Sequence, residues 1–152
     1  MIAAEVTVLM VAALATGGLM VNWIGLARAM KLLSSSAYTE FHQSTNLTFD
    51  PYMPIVVVGA LLGGVVLVVL FDIRTVSGQL SAAGVACFAS VLAISLATSV
   101  RINKQIAGWS IEHPPADWAT VRTRWVRVHV LRTLISVPAL IFYLVAVILR
   151  TA

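Results

Sequence analysis

Four stretches of nearly unbroken apolar character divide the chain: Val6–Ala27, Pro54–Phe71, Leu80–Val100 and Val130–Leu149. Each comes close to or exceeds the roughly 20 residues that a helix needs to cross a hydrocarbon core of about 30 Å. None shows the two-residue alternation of a barrel strand, and in lipid an open strand would leave its backbone polar groups unsatisfied. The pattern predicts an all-α integral membrane protein, a bundle of four transmembrane helices forming one domain over residues 1–152. Composition agrees: 60% of residues are hydrophobic, 11% are charged, and the mean hydropathy is +0.97.

The polar segments order the helices. Only DIRTVSGQ joins the second and third, a tight antiparallel connection, whereas the other two links are long. Four crossings then place both long links on one membrane face. Arg28, Lys31, Arg101, Lys104, Arg122, Arg124 and Arg127 crowd that face, while Arg74 and Arg150 belong to the other. By the positive-inside tendency the long links are expected in the cytoplasm and both termini outside. The first helix is expected to be an uncleaved span, because its N-region carries Glu5 and no Lys or Arg, and its apolar run is longer than a signal peptide needs. The net charge of +4 sits beside membrane segments, with no soluble module to present it, so a nucleic-acid partner is not expected. Cys87 stands alone in the third helix and reads as a packed apolar residue. Gly18 and the GALLGG stretch permit close helix approach within or between protomers, leaving a homo-oligomer open.

The long links carry the candidate chemistry. In SSSAYTEFHQSTNLTFDPYMP, Ser36 can cap an interfacial helix over about residues 37–46 with Tyr38, Phe41 and His42 along one side. In the second link, Pro115 and Asp117 suit a helix start, predicting a helix over 115–129 that runs on into the fourth span. Steps of three and four place Trp118, Arg122, Trp125, His129, Arg132 and Ser136 on one face of it. One reading makes the tryptophans an aromatic belt and Arg122, Arg124 and Arg127 snorkelling side chains. Arg132 resists it, because it lies beyond the start of the apolar run, where a guanidinium costs several kcal/mol unless partnered. On the same face, Ser95, Ser99 and Asn103 recur every four residues, and Asn22 sits about 9 Å inside Arg28 along the first helix. Asn22, His42, Asn103, His129 and Arg132 are thus expected to converge at one end of the bundle.

The asparagine ending the third helix, the tract from Trp118 containing RTRWVRVHVLRTLISV, and the early GGLMVNW resemble the anthrone oxygenase-like family of small four-helix membrane proteins. The resemblance extends over nearly the whole chain and is densest from Trp118 to Arg132. It implies oxidation of a polyphenolic anthrone to an anthraquinone with dioxygen, in polyketide biosynthesis. By position it implies Asn22, Asn103, Trp125, His129 and Arg132 as site residues, to which the residue reading adds His42. Val128 stands where the family's commoner form has an asparagine before the histidine, and SVRIN lacks a proline associated with that region.

Such chemistry needs a base for an activated phenolic C–H acid and a cation for the resulting oxyanion. Dioxygen is then the co-substrate and a metal is not strictly required. An imidazole's ordinary pKa suits His129 to the base, and Arg132 suits the oxyanion. Asn22 and Asn103 can orient substrate oxygens, with Trp125, Trp118, Arg122 and His42 binding an aromatic guest. The rival chemistry uses copper, iron or zinc on His42 and His129, joined by His113, Glu40 or Asn22, although no HxH, HExxH or paired-cysteine spacing is present. His113, in EHPP, reads first as a solvated loop residue. The non-catalytic alternative is a binder of a lipid, quinone or hydrophobic metabolite, or an accessory subunit of a membrane complex.

Overall fold

The computed structural model describes residues 1–49 and 52–151. Five helices follow in chain order: α1 (Ile2–Met30), α2 (Ser35–Phe49), α3 (Tyr52–Phe71), α4 (Val76–Ala107) and α5 (Trp118–Thr151). No strand occurs among the described residues, and α1, α3, α4 and α5 are each long and apolar enough to cross a membrane. The protein is a multi-pass membrane protein whose four spans close a ring: α1 and α4 each pack against both α3 and α5. The two long connections meet, because Gln43 Nε2 of the first donates to the carbonyls of Ile106 (2.9 Å) and Trp109 (3.1 Å) in the second.

All four expected spans are present, but the helices outrun them. Apolarity marks only the part of a helix in hydrocarbon, whereas hydrogen bonding carries α1 on to Met30 and α4 on to Ala107, through polar and basic residues. α5 runs without a break from Trp118 through Pro138 to Thr151, and Pro115 stays outside the helix. The interfacial helix is longer than residues 37–46. Its cap is Ser34 rather than Ser36, with Ser34 Oγ accepting from the Ala37 amide at 3.4 Å. Phe41 faces outward, while Tyr38 and His42 are buried.

The end of the bundle away from the long links is closed tightly. Tyr143 of α5 occupies space that only glycine leaves at Gly64 of α3 and Gly84 of α4, where a methyl group would overlap its ring or hydroxyl. Its hydroxyl donates to the Ala60 carbonyl at 3.2 Å, and its ring packs 5.7 Å from Phe88. Cys87 packs against this core, as its place in an apolar helix suggested. Beyond it, Arg150 pairs with buried Glu5 and lies 5.1 Å from the Phe71 ring centroid, tying the ends of α1, α3 and α5. The short turn is fixed by Thr75, whose hydroxyl accepts from the Gly78 amide at 3.0 Å and caps α4.

This packing predicts non-additive substitutions. Gly64→Ala should lower the thermal midpoint of the detergent-solubilised protein by the equivalent of about 1–3 kcal/mol. Tyr143→Phe alone should cost about 1 kcal/mol for the lost hydrogen bond. Because the added methyl meets the Tyr143 hydroxyl first, the double variant should be more stable than the sum of the two costs, as a double-mutant cycle will measure.

Candidate functional site

At the opposite end the spans loosen, and each of two does so by a π-helical turn: Val21–Leu26 in α1 and Ser95–Ser99 in α4. A π turn carries one extra residue and re-aims the side chains near it, which is why such turns cluster at functional sites. Here they point Asn22, Ser95 and Ser99 into one cavity of about 120 Å³, whose wall also includes His42 and Asn46 of α2 and Trp125, His129 and Arg132 of α5. Apolar residues make up much of the remaining wall, among them Met53, whose sulfur lies against the space left by Gly18.

The hydrogen bonds decide the protonation states. An indole N–H can only donate, so Trp125 Nε1, 3.0 Å from Asn103 Oδ1, fixes the orientation of that amide. Asn103 Nδ2 then donates to Asn46 Oδ1 at 2.6 Å. An arginine likewise only donates. Arg132 Nη2, 2.7 Å from His129 Nε2, therefore requires a lone pair on that nitrogen. The proton of His129 sits on Nδ1, 3.1 Å from the Trp125 carbonyl, and the ring is neutral with both nitrogens engaged. Arg132 Nη1 donates to Ser95 Oγ at 2.8 Å, and the Ser95 hydroxyl in turn donates to the Val91 carbonyl at 2.6 Å.

His42 is engaged on one side only. It is 3% exposed and hydrogen-bonds Asn103, and its Nδ1 has no partner among the described residues, so the bond to Asn103 belongs to Nε2. Burial pulls its pKa down from 6.5 to about 4, against the opposing effect of the Asn103 bond. Ser99 Oγ, in the π turn of α4, is also buried without a partner among the described residues. Two unsatisfied polar atoms in the wall of one cavity are what a polar guest would satisfy. The rings form a line: His42 is edge-on to Trp125 at 5.1 Å between centroids, and Trp125 stacks on His129 at 3.7 Å.

The structure brings together Asn22, His42, Asn103, Trp125, His129 and Arg132 around the cavity. Trp118 and Arg122 lie outside its lining. Arg122 instead donates to the Met30 carbonyl at 3.0 Å and covers the rings of Trp118 (4.6 Å) and Tyr38 (5.8 Å), fastening α1, α2 and α5 together. Burial pushes the Tyr38 phenol up despite Arg122. Of the stripe along α5, Trp125, His129 and Arg132 line the cavity, Trp118 and Arg122 lie against Tyr38 of α2, and Ser136 is buried outside the lining. His113 and Glu40 are exposed and do not join the two cavity histidines, and no group of three or more His, Cys, Asp or Glu stands ready for a metal ion among the described residues. Asn46 was missed by sequence reasoning, although its place one helical turn after His42 would have put it on the same face.

A sequence model of the family described as anthrone oxygenase matches residues 41–142, well over half of the chain. The match includes His42, Asn103, Trp125, His129 and Arg132 and leaves out Asn22. Neither a curated protein nor a solved structure matches the chain.

The state of His42 sets a pH dependence. The ionisable groups around it are Tyr38 on its own helix and His129 and Arg132 on α5. Its pKa is lower folded than unfolded, so between about pH 6.5 and 4 the unfolded chain binds the extra proton. Stability is then fully present above pH 6.5 and falls as the pH drops towards 4, by about 3 kcal/mol over the interval. Thermal melts across this range should show that loss in the native protein and a smaller one in His42→Gln.

Proposed function

The chain belongs to the anthrone oxygenase family, and on that premise we propose that it is a membrane-embedded oxygenase that acts with dioxygen on a hydrophobic, anthrone- or polyphenol-like aromatic substrate. The observation that carries this reading is the guanidinium of Arg132 in a largely apolar cavity, aimed by Ser95 and His129. An aromatic ring bearing an acidic hydroxyl or ketone gives up a proton and becomes an anion with its charge on oxygen. Arg132 supplies a charge-assisted donor for that oxygen where water does not compete. Trp125 offers the guest an aromatic surface, and Asn22 and Ser99 offer it hydrogen bonds. An electron-rich anion of this kind passes electrons to dioxygen, itself an apolar molecule that partitions into the bilayer.

The reading extends to orientation and setting. Arg28, Lys31, Arg101, Lys104, Arg124 and Arg127 are exposed around the cavity end of the bundle, which supports placing that end in the cytoplasm and both termini outside. A substrate made by polyketide chemistry suits such a pocket, being flat, phenolic and lipid-soluble.

The purified protein in detergent should consume dioxygen when given an anthrone with free phenols. Arg132→Ala should lower kcat/KM by about a hundredfold to a thousandfold, the scale of removing one oxyanion donor, and Arg132→Lys should recover part of it. Tight binding without dioxygen uptake, followed on an oxygen electrode, would instead make the protein a binder of aromatic metabolites.

A further inference from the structure

Two histidines share the cavity, and their surroundings separate them. His129 has no nitrogen to offer a substrate: Nδ1 donates to the Trp125 carbonyl at 3.1 Å, and Nε2 accepts from Arg132 at 2.7 Å. To act as a base it would have to break the contact that aims the guanidinium. His42 is the converse. Its bond to Asn103, an amide held in place by Trp125 and Asn46, favours the protonated imidazole, as a bond donated to the amide oxygen does; the proton therefore sits on Nε2, and the lone pair is on Nδ1, which is buried without a partner among the described residues on a residue that lines the cavity. We propose that His42, through Nδ1, is the base that takes the substrate's proton, and that His129 is a positioning residue that holds Arg132. The assignment rests on the oxygenase reading above.

A ring carbon bearing two hydrogens, activated by a conjugated ketone, loses one as a proton. The C–H bond breaks, an N–H bond forms at His42 Nδ1, and the electron pair moves through the ring to the oxygen facing Arg132. Dioxygen is the oxidant and adds to that carbon. The peroxide so formed takes back the proton from His42, and loss of water leaves a carbonyl, so one oxygen atom enters the product and the other leaves as water. Trp125 lies between the two histidines, so the proton leaves at one end of the guest while the charge is collected at the other. A conjugated substrate is suited to that separation. With a pKa of about 4, His42 is neutral at pH 7 but a weak base. It therefore needs a substrate whose acidity Arg132 has raised.

The test is an anaerobic titration of the protein with an anthrone carrying free phenols, reading the long-wavelength absorbance of the bound anion. The native protein should develop the anion band. His42→Gln should bind the same ligand with little change in Kd and lose the band, and in the presence of oxygen should lose about a hundredfold in kcat. His42→Ala should regain the band on addition of imidazole. His129→Gln, which can still accept from Arg132, should keep the band. An unchanged band in His42→Gln, or its disappearance in His129→Gln alone, overturns the assignment. A normal band in the native protein without dioxygen uptake supports His42 as base and removes the oxygenase reading. Uptake that His42→Gln leaves unaltered does the reverse.

Discussion

A guanidinium set within an apolar bundle has to be held from several directions, and the holding of Arg132 organises this end of the protein. Its cost in a low-dielectric setting is several kcal/mol unless polar partners meet its N–H groups. Its partners include His129, one turn back on the same helix, and Ser95, across the interface with α4. Each is fixed in turn. His129 is held by the carbonyl of Trp125, and Ser95 by that of Val91. The tautomer of His129 and the orientation of Asn103 then follow from the rule that arginine and indole only donate.

The bundle divides its labour along its length. At the closed end, glycines at 64 and 84 admit the Tyr143 ring and leave no space for a guest. At the cavity end, π turns in α1 and α4 supply the re-aimed side chains, and α2 lies across as a cover. That cover is anchored on both flanks, through Gln43 to the end of α4 and through the Tyr38, Trp118 and Arg122 cluster to α5. The cavity end has a buried cluster of its own, in which Met30, Tyr38, Ile106 and Trp125 take part, so the space for a guest is framed by packed residues on that side as well.

The four spans were legible because hydropathy reports directly on which residues tolerate lipid. The convergence of Asn22, His42, Asn103, Trp125, His129 and Arg132 was legible because the count of crossings places both long links at one end, and steps of three and four choose the faces. The π turns were not, because the shift of hydrogen bonds from one carbonyl to the next depends on tertiary contacts and leaves no local pattern at VNWIGL or SLATS. Trp118 and Arg122 were assigned to the site because a helical stripe runs straight on, whereas the surroundings change along it. α2 covers the first turns of α5, so one face meets a neighbouring helix at Arg122 and the cavity at Arg132. Nor does a sequence reveal the pairing of Glu5 with Arg150, which joins opposite ends of the chain.

The two cavity histidines carry this point into chemistry. By residue type and by spacing from Arg132, His129 was the natural base, since an imidazole three residues from a guanidinium lies within its reach. That same closeness disqualifies it. A lone pair near enough to orient the arginine is occupied by it, and a base must keep its lone pair for the substrate. His42 stands on another helix, with the Trp125 indole between it and His129, and its committed nitrogen faces an amide instead of a cation. Separation from Arg132 thus gives His42 both its open nitrogen and its place at the far end of the guest. Which histidine reacts is decided by the partner that each already has.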